Sequence, residues 1–313
     1  MLRAKLAIVA AFVLLTAACG GGGGASTTSD GTTKVTLGLI PIVDVAPIYL
    51  GIKQGFFAAE KLELNIQTAQ GGAAIIPGVV SGQYQFGFSN TASLLLAGSQ
   101  GLPLKVVSAG NASTGEAGKD FGAVVVKKDS PIKSAKDLEG KRVAVNTLKN
   151  INTLTVSNAV RQAGGDPSKV TFVELPFPQI EAAVAKGDVD AGQVVEPFLT
   201  IAKEAGDVPI ADNLLGLMVG LYFTSEQFAG QNPKAVTGFQ NAMKKSLEYA
   251  NGHPEEARAV LTDYLKVEPA VQQKLVLPKW PADIDRPAVQ KLLDMAKEDG
   301  LITKDPDLTK LIP

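Results

Sequence analysis

Residues 34–68 read KVTLGLIPIVDVAPIYLGIKQGFFAAEKLELNIQT, and the hydrophobic period changes twice within that stretch. Residues 35–40 form a short apolar run of the length of a buried strand. Pro47 then stands at the first turn of a segment carrying Ile48, Leu50, Ile52 and the Phe56-Phe57 pair, with Gly55 near its end, as an amphipathic helix would. Residues 62–68 return to strand composition. Strand, helix and strand in direct succession predict an α/β fold with parallel strands.

The alternation continues outward from there. Gly71-Gly72 leads into a helical pattern through Ile75, Ile76, Val79 and Val80, followed by a short strand at Phe86-Gly87-Phe88 and an apolar helix at 92–97. Residues 104–109 and 122–127 read as two further strands. A second α/β run has strands at 142–145, 170–175 and 189–195, with helices at 154–162 and after Pro178. The last third is mostly helical, at 233–250, 254–265 and 287–296, each segment opened by a proline. A faint repeat supports two similar halves: Gly82-Gln83-Tyr84-Gln85-Phe86-Gly87 and Gly187-Asp188-Val189-Asp190-Ala191-Gly192 each follow a helix and enter a strand that ends in polar residues.

Composition removes several kinds of chemistry. A chain of 313 residues suggests about two domains, each able to bury a core. With 30 basic against 31 acidic side chains it lacks the positive footprint that nucleic acid requires, so no nucleic-acid partner is expected. One Cys excludes a disulfide framework, and one His excludes a multi-histidine zinc site and leaves a Ser-His-Asp arrangement a single base. That histidine, His253, precedes Pro254-Glu255-Glu256, a helix-entry sequence. Gly20 to Gly24 follow no strand and lack the Lys-Ser/Thr ending of a phosphate loop, and no other residue set asks for a cofactor or metal.

The first residues are an address. Arg3 and Lys5 precede an unbroken apolar run at 6–15, and Thr16-Ala17-Ala18 supplies small residues before Cys19, the pattern of a cleavable secretory signal over 1–18. A ten-residue helix spans about 15 Å, half of a hydrocarbon core of roughly 30 Å, too little for a permanent anchor. Residues 19–33, with Gly20 to Gly24 and a Ser/Thr run, read as a flexible tether.

Ligands of open α/β sheets bind beyond the carboxyl ends of the strands, where helix N-termini also offer unpaired N–H groups. In the first half those ends carry Asp44, Gly72 and Ser89-Asn90-Thr91; in the second they carry Asn146, Asn152-Thr153, Phe177 and Glu196. Neutral hydrogen-bonding groups dominate, which suits reversible recognition better than turnover, and no enzyme activity is expected. Asp44, Ser89-Asn90-Thr91 and Asn152-Thr153 would also serve as helix caps, and Phe177, Phe198 and Tyr222-Phe223 would also serve as core. Arg142, Arg161, Arg258 and Arg286 lie in apparent helices or away from these ends, so no bidentate anion clamp is visible.

Ala46-Pro47-Ile48-Tyr49-Leu50-Gly51 through Gln54-Gly55-Phe56-Phe57, then Asp137-Leu138-Glu139-Gly140-Lys141-Arg142-Val143-Ala144-Val145, Gly187-Asp188-Val189-Asp190-Ala191 and Glu196-Pro197-Phe198 follow one another along the chain. With residues 79–88, and Tyr222-Phe223 through Asn232-Pro233, they resemble the substrate-binding lipoproteins of ABC importers in the nitrate, sulfonate, taurine and thiamine-precursor group. Gln85 departs from that pattern, standing where the group usually has Asp. The resemblance implies a type 2 periplasmic-binding-protein fold: two α/β lobes, 34–121 plus 218–313 and 122–217, joined by two crossover segments around a central ligand cleft. It implies lipid on Cys19, which resembles a lipobox cysteine, and so an extracytoplasmic protein held to the membrane. It further implies a monomer that binds a small organic solute and delivers it by hinge closure to a permease and its ATPase. The solute is either a sulfonate-, nitrate- or taurine-like anion or a thiamine-precursor-like heterocycle. Two alternatives share the scaffold: a surface sensor lipoprotein, and an enzyme like the fungal thiamine-pyrimidine synthases, which the resemblance implies need a pyridoxal-phosphate lysine and a site histidine.

Overall fold

The computed structural model describes residues 26–312. The expected signal segment at 1–18, Cys19 and the glycine run lie outside the described residues. In chain order the strands are β1 (Ser26–Thr27), β2 (Thr33–Leu39), β3 (Leu62–Thr68), β4 (Phe86–Asn90), β5 (Leu104–Ala112) and β6 (Gly122–Val126). They continue as β7 (Arg142–Val145), β8 (Thr171–Glu174), β9 (Ala191–Val195), β10 (Val208–Ala211) and β11 (Met218–Ser225). Within the expected tether, Ser26 and Thr27 pair antiparallel with Lys34 and Thr33.

The strands divide into two sheets. The first runs β1-β2-β4-β11-β5 with β3 also on β2; the second runs β10-β6-β9-β7-β8. The parallel unit expected from residues 34–68 is present, with Val35 beside Leu64 and Leu39 beside Thr68. Neither sheet is wholly parallel, however. β11 lies antiparallel between β4 and β5, and β6 lies antiparallel between β9 and β10. Hydrophobic periodicity carries no strand direction, so these reversals were invisible in the pattern. β11 comes late in the chain and sits at the heart of the first sheet, while the second sheet is assembled entirely from β6 to β10 between the two visits.

Each sheet is covered by helices on its apolar faces, as a sheet buried on both sides requires. Under helix Pro233–Gly252 of the first lobe, Phe86 stacks on Phe239 at 4.0 Å between ring centroids and Tyr222 meets the same ring at 6.0 Å. Val124, Leu138, Val143, Val156 and Val160 form a separate core on one side of the second sheet. The helix Phe177–Lys186 ends at Gly187, whose φ of +81° gives the left-handed cap that a side chain would strain.

The two lobes touch. Arg161, on helix Ile151–Gln162 of the second lobe, pairs with Glu298 at 3.2 Å and with Asp299, both at the end of helix Arg286–Glu298 of the first. A late segment at 274–280 also lies across the seam. Lys274 pairs with Glu204 at 2.8 Å and the Val276 amide donates to Glu196 Oε1 at 3.1 Å, both in the second lobe. Lys279 exchanges two main-chain bonds with Ala112, and Trp280 Nε1 donates to the Asp44 carbonyl at 2.9 Å, both in the first.

Candidate functional site

The end of β2 turns through Ile40-Pro41-Ile42 into a 3₁₀ turn, Val43–Val45, that contains Asp44 and leads into helix Ala46–Lys53. Asp44 is therefore not the N-cap of that helix. Its side chain is 2% exposed, and its Oδ2 has no hydrogen-bond partner among the described residues. Burial pushes its carboxyl up to about 7, helped by Asp120 and opposed by its own amide and by Asn111. Removing a carboxylate from water without full compensation favours the protonated form.

Gly72 and Ser89 pack so closely that a Cβ on Gly72 would lie 2.0 Å from Ser89 Oγ. Here glycine is demanded by close approach. Asn90 caps helix Thr91–Ser99, its Oδ1 accepting from the Ser93 amide at 2.9 Å. The same oxygen accepts from the Ile151 amide at 3.3 Å, at the first turn of a second-lobe helix. Thr91 is turned away, donating to the Met218 carbonyl at 2.7 Å.

Across the seam, Asn146 gathers its neighbours. Its Oδ1 accepts from Asn150 Nδ2 at 2.8 Å and Asn152 Nδ2 at 2.7 Å. Gln70 Nε2 reaches over from the first lobe to the Asn146 carbonyl at 3.1 Å. The helix here starts earlier than its apolar spacing suggests. Asn150, not Asn152 or Thr153, is the N-cap, accepting from the Asn152 and Thr153 amides at 3.0 and 3.2 Å. Thr153 Oγ1 accepts in turn from the Asn150 amide at 3.1 Å, completing a capping box.

Phe177 opens its helix and stacks on Phe198 at 5.6 Å with planes 12° apart. The pair forms the second-lobe wall of a cavity of about 330 Å³, within the range of small-molecule sites. Ile40, Pro41, Ile42, Thr68, Ala69 and Gln70 form the facing wall, and Pro176 and Pro178 flank Phe177. Among the described residues no charged side chain lines it.

Glu196 is fully buried, and protein donors meet both its oxygens. Oε1 accepts from Thr200 Oγ1 at 2.8 Å and the Val276 amide at 3.1 Å; Oε2 accepts from the Thr200 amide at 3.0 Å. Burial raises its pKa, and those hydrogen bonds oppose the rise.

Asn90 and Asn146 therefore make bonds across the seam, Asn152 holds Asn146, Phe177 lines the cavity, and Asp44 follows that cavity's Ile40–Ile42 wall in the chain. Gly72 and Ser89 pack beneath, while Thr91 and Glu196 are committed to protein partners. Gln70 and Asn150 were not anticipated; Gln70 lies in a polar stretch without periodicity, and Asn150 carried only the usual cap preference. Among the described residues no group of three or more His, Cys, Asp and Glu could hold a metal ion, and no helix is long and apolar enough to cross a membrane. His253 is exposed, stacked on Tyr249 at 3.9 Å.

A family model described as NMT1/THI5 like matches residues 42–257. The taurine-binding periplasmic protein of Escherichia coli (strain K12) is 30% identical over 173 residues, 54% of this chain and 51% of that protein, so the match spans about half of that relative. The 4-amino-5-hydroxymethyl-2-methylpyrimidine phosphate synthase of Candida albicans (strain WO-1) is 24% identical over 251 residues, 75% of this chain and 70% of that protein. The alkanesulfonate-binding protein SsuA from Xanthomonas axonopodis pv. citri, bound to MOPS, superposes with a TM-score of 0.77 at 16% identity, covering 92% of this chain and 100% of that chain. That likeness establishes the two-lobed periplasmic-binding-protein fold.

Proposed function

The chain belongs to the NMT1/THI5-like family, and from that premise we propose that it is an extracytoplasmic solute-binding lipoprotein of an ABC importer. It would be held to the membrane by lipid on Cys19 and would hand a small organic solute to a permease and its ATPase as a monomer. The lobes are 34–121 with 218–313, and 122–217, and the solute sits between them. The observation that carries this is the cavity of about 330 Å³ with walls from both lobes, where Gln70 of the first-lobe wall also reaches the Asn146 carbonyl of the second lobe. A solute held there touches both lobes at once, so its binding free energy favours their approach.

The residues divide by task. Phe177 supplies an aromatic wall, Asn90 and Asn146 join the lobes where they meet, and Asn152 holds Asn146. Gly72, Ser89, Thr91 and Thr153 shape the helix starts behind them. Asp44 offers a polar group to the solute from the first lobe, and Glu196 holds the cleft's edge in place. The solute is either an anion of the sulfonate, nitrate and taurine kind or a heterocycle of the thiamine-precursor kind, the two chemistries that the relatives' names span.

The Candida relative favours a second reading, an enzyme on the same fold. Such an enzyme would need a base at the cleft, and His253 instead lies at the exposed end of helix Pro233–Gly252 with Nδ1 2.9 Å from the Tyr249 carbonyl. Calorimetric titration of the mature chain with ethanesulfonate, nitrate, taurine and aminopyrimidines separates the two. Stoichiometric binding without conversion of the solute supports the receptor, and turnover of a bound pyrimidine overturns it.

A further inference from the structure

Charge is placed against local preference where helix Arg286–Glu298 ends. The carbonyl end of a helix carries partial negative charge and favours cations. Yet Glu298 is the last residue of this helix and Asp299 its C-cap, and Gly300 follows at a φ of +69°. Lys297, the basic residue of that turn, is drawn off to Asp305 at 2.9 Å. Among the described residues the one cation paired with Glu298 and Asp299 is Arg161 of the other lobe, with Nε 3.2 Å from Glu298 and Nη2 on Asp299. Arg161 itself stands in the last turn of helix Ile151–Gln162, so two negative helix ends share one guanidinium.

The pairing is a second fastening on a helix already fastened at its start. Ile151 donates to Asn90 across the seam, and ten residues of helix place Arg161 about 15 Å further along. Between the two points lies a cavity of about 580 Å³, lined by Leu96 and Gln100 from the first lobe and by Thr153 and Ser157 from the second. Close packing therefore does not hold this stretch of the seam; the polar contacts at its two ends do. The side chains of Arg161 and Asp299 are 28% and 22% exposed, against 54% and 48% for Lys274 and Glu204, the other cross-lobe ion pair. Water screens the drier pair less. Arg161 Nη1 is buried without a partner, a cost to the closed form that keeps the fastening reversible.

We infer that Arg161, Glu298 and Asp299 form a clasp that holds the lobes together before any solute is bound, and that ionic strength sets how often it opens. Opening leaves two unpaired acids at the negative end of a helix, so the first lobe gains from closure whether or not the cavity is filled. Solute plays no part in the clasp, and the receptor reading stands or falls separately.

The test is small-angle X-ray scattering of the solute-free mature chain in about 0.01 M and about 1 M sodium chloride, between which the screening length falls from about 30 Å to about 3 Å. The parent should expand between the two. Arg161→Met should be expanded already in low salt and should respond no further. Lys274→Met should behave as the parent does. Glu298→Gln with Asp299→Asn should expand the chain as Arg161→Met does, with no fall in melting temperature, because both changes relieve the helix end; this pair keeps the test open should Arg161→Met fail to fold. Equal radii of gyration for the parent and the double variant in low salt overturn the clasp. So does an expansion from Lys274→Met as large as that from the double variant.

Discussion

The side-chain oxygen of Asn90 accepts the main-chain amide of Ile151 across the seam, while also capping its own helix. One atom thus ties a helix start in the first lobe to a helix start in the second. Asn90→Ala should lower stability by about 1 kcal/mol through loss of the cap, and should weaken solute binding severalfold through loss of the cross-lobe bond. Melting curves and calorimetry read the two effects separately. Unchanged affinity in a destabilised variant would leave Asn90 with capping alone.

Phe198 is half-buried and shares the cavity wall with Phe177. Phe198→Ala should cost less stability than the 3–5 kcal/mol of a fully buried ring, because part of the ring already faces solvent. Affinity for an aromatic solute should fall about tenfold, in line with lost stacking and apolar contact. Retained affinity would move the solute away from this wall.

Glu196→Ala would strand the Thr200 hydroxyl and the Thr200 and Val276 amides. A cost of about 1–3 kcal/mol is expected, a larger effect than a solvated ligand contact would give. Loss of affinity without loss of melting temperature would place the carboxylate on the solute instead.

Asp44 makes stability depend on pH. Its carboxyl lies at about 7 in the folded chain against an ordinary value of 3.8. Between those values the folded state holds a proton that the unfolded state has released, so stability falls as pH rises from about 4 to about 7 and levels off above. Asp44→Asn removes that contribution, and Glu196, whose shift has the same sign, remains in both proteins. The melting temperature of the parent relative to the variant should therefore drop between pH 4 and pH 7. Parallel pH profiles would contradict the buried, unpaired state of Asp44.

Cys19→Ala should shift the protein from the membrane fraction to the soluble fraction of cells. Continued sedimentation with membranes would remove the lipid anchor.

Much of this architecture was legible in the sequence because most buried strands are short apolar runs and most helices have a proline or a side-chain cap at the start. β10 escaped because it is a four-residue edge strand containing Pro209, which breaks both the pattern and the propensity. The reversals of β6 and β11 escaped because direction is set by where the chain crosses between lobes. At the site, side chains at strand ends were readable from position alone. What position could not show was occupancy: Glu196 and Thr91 have the same polar character as Asn146, yet their oxygens are engaged by Thr200, Val276 and Met218. Those donors and acceptors include main-chain groups, which leave no mark in residue identity.

The segment at 274–280 gives the two lobes a connection of a different kind from the covalent crossovers. Parting the lobes can bend a crossover but must break the bond from the Val276 amide to Glu196 or tear Lys279 from Ala112. The Val276 amide should therefore act as a clock: its exchange with deuterium should count how often the seam opens, and a solute bound between the lobes should slow that count.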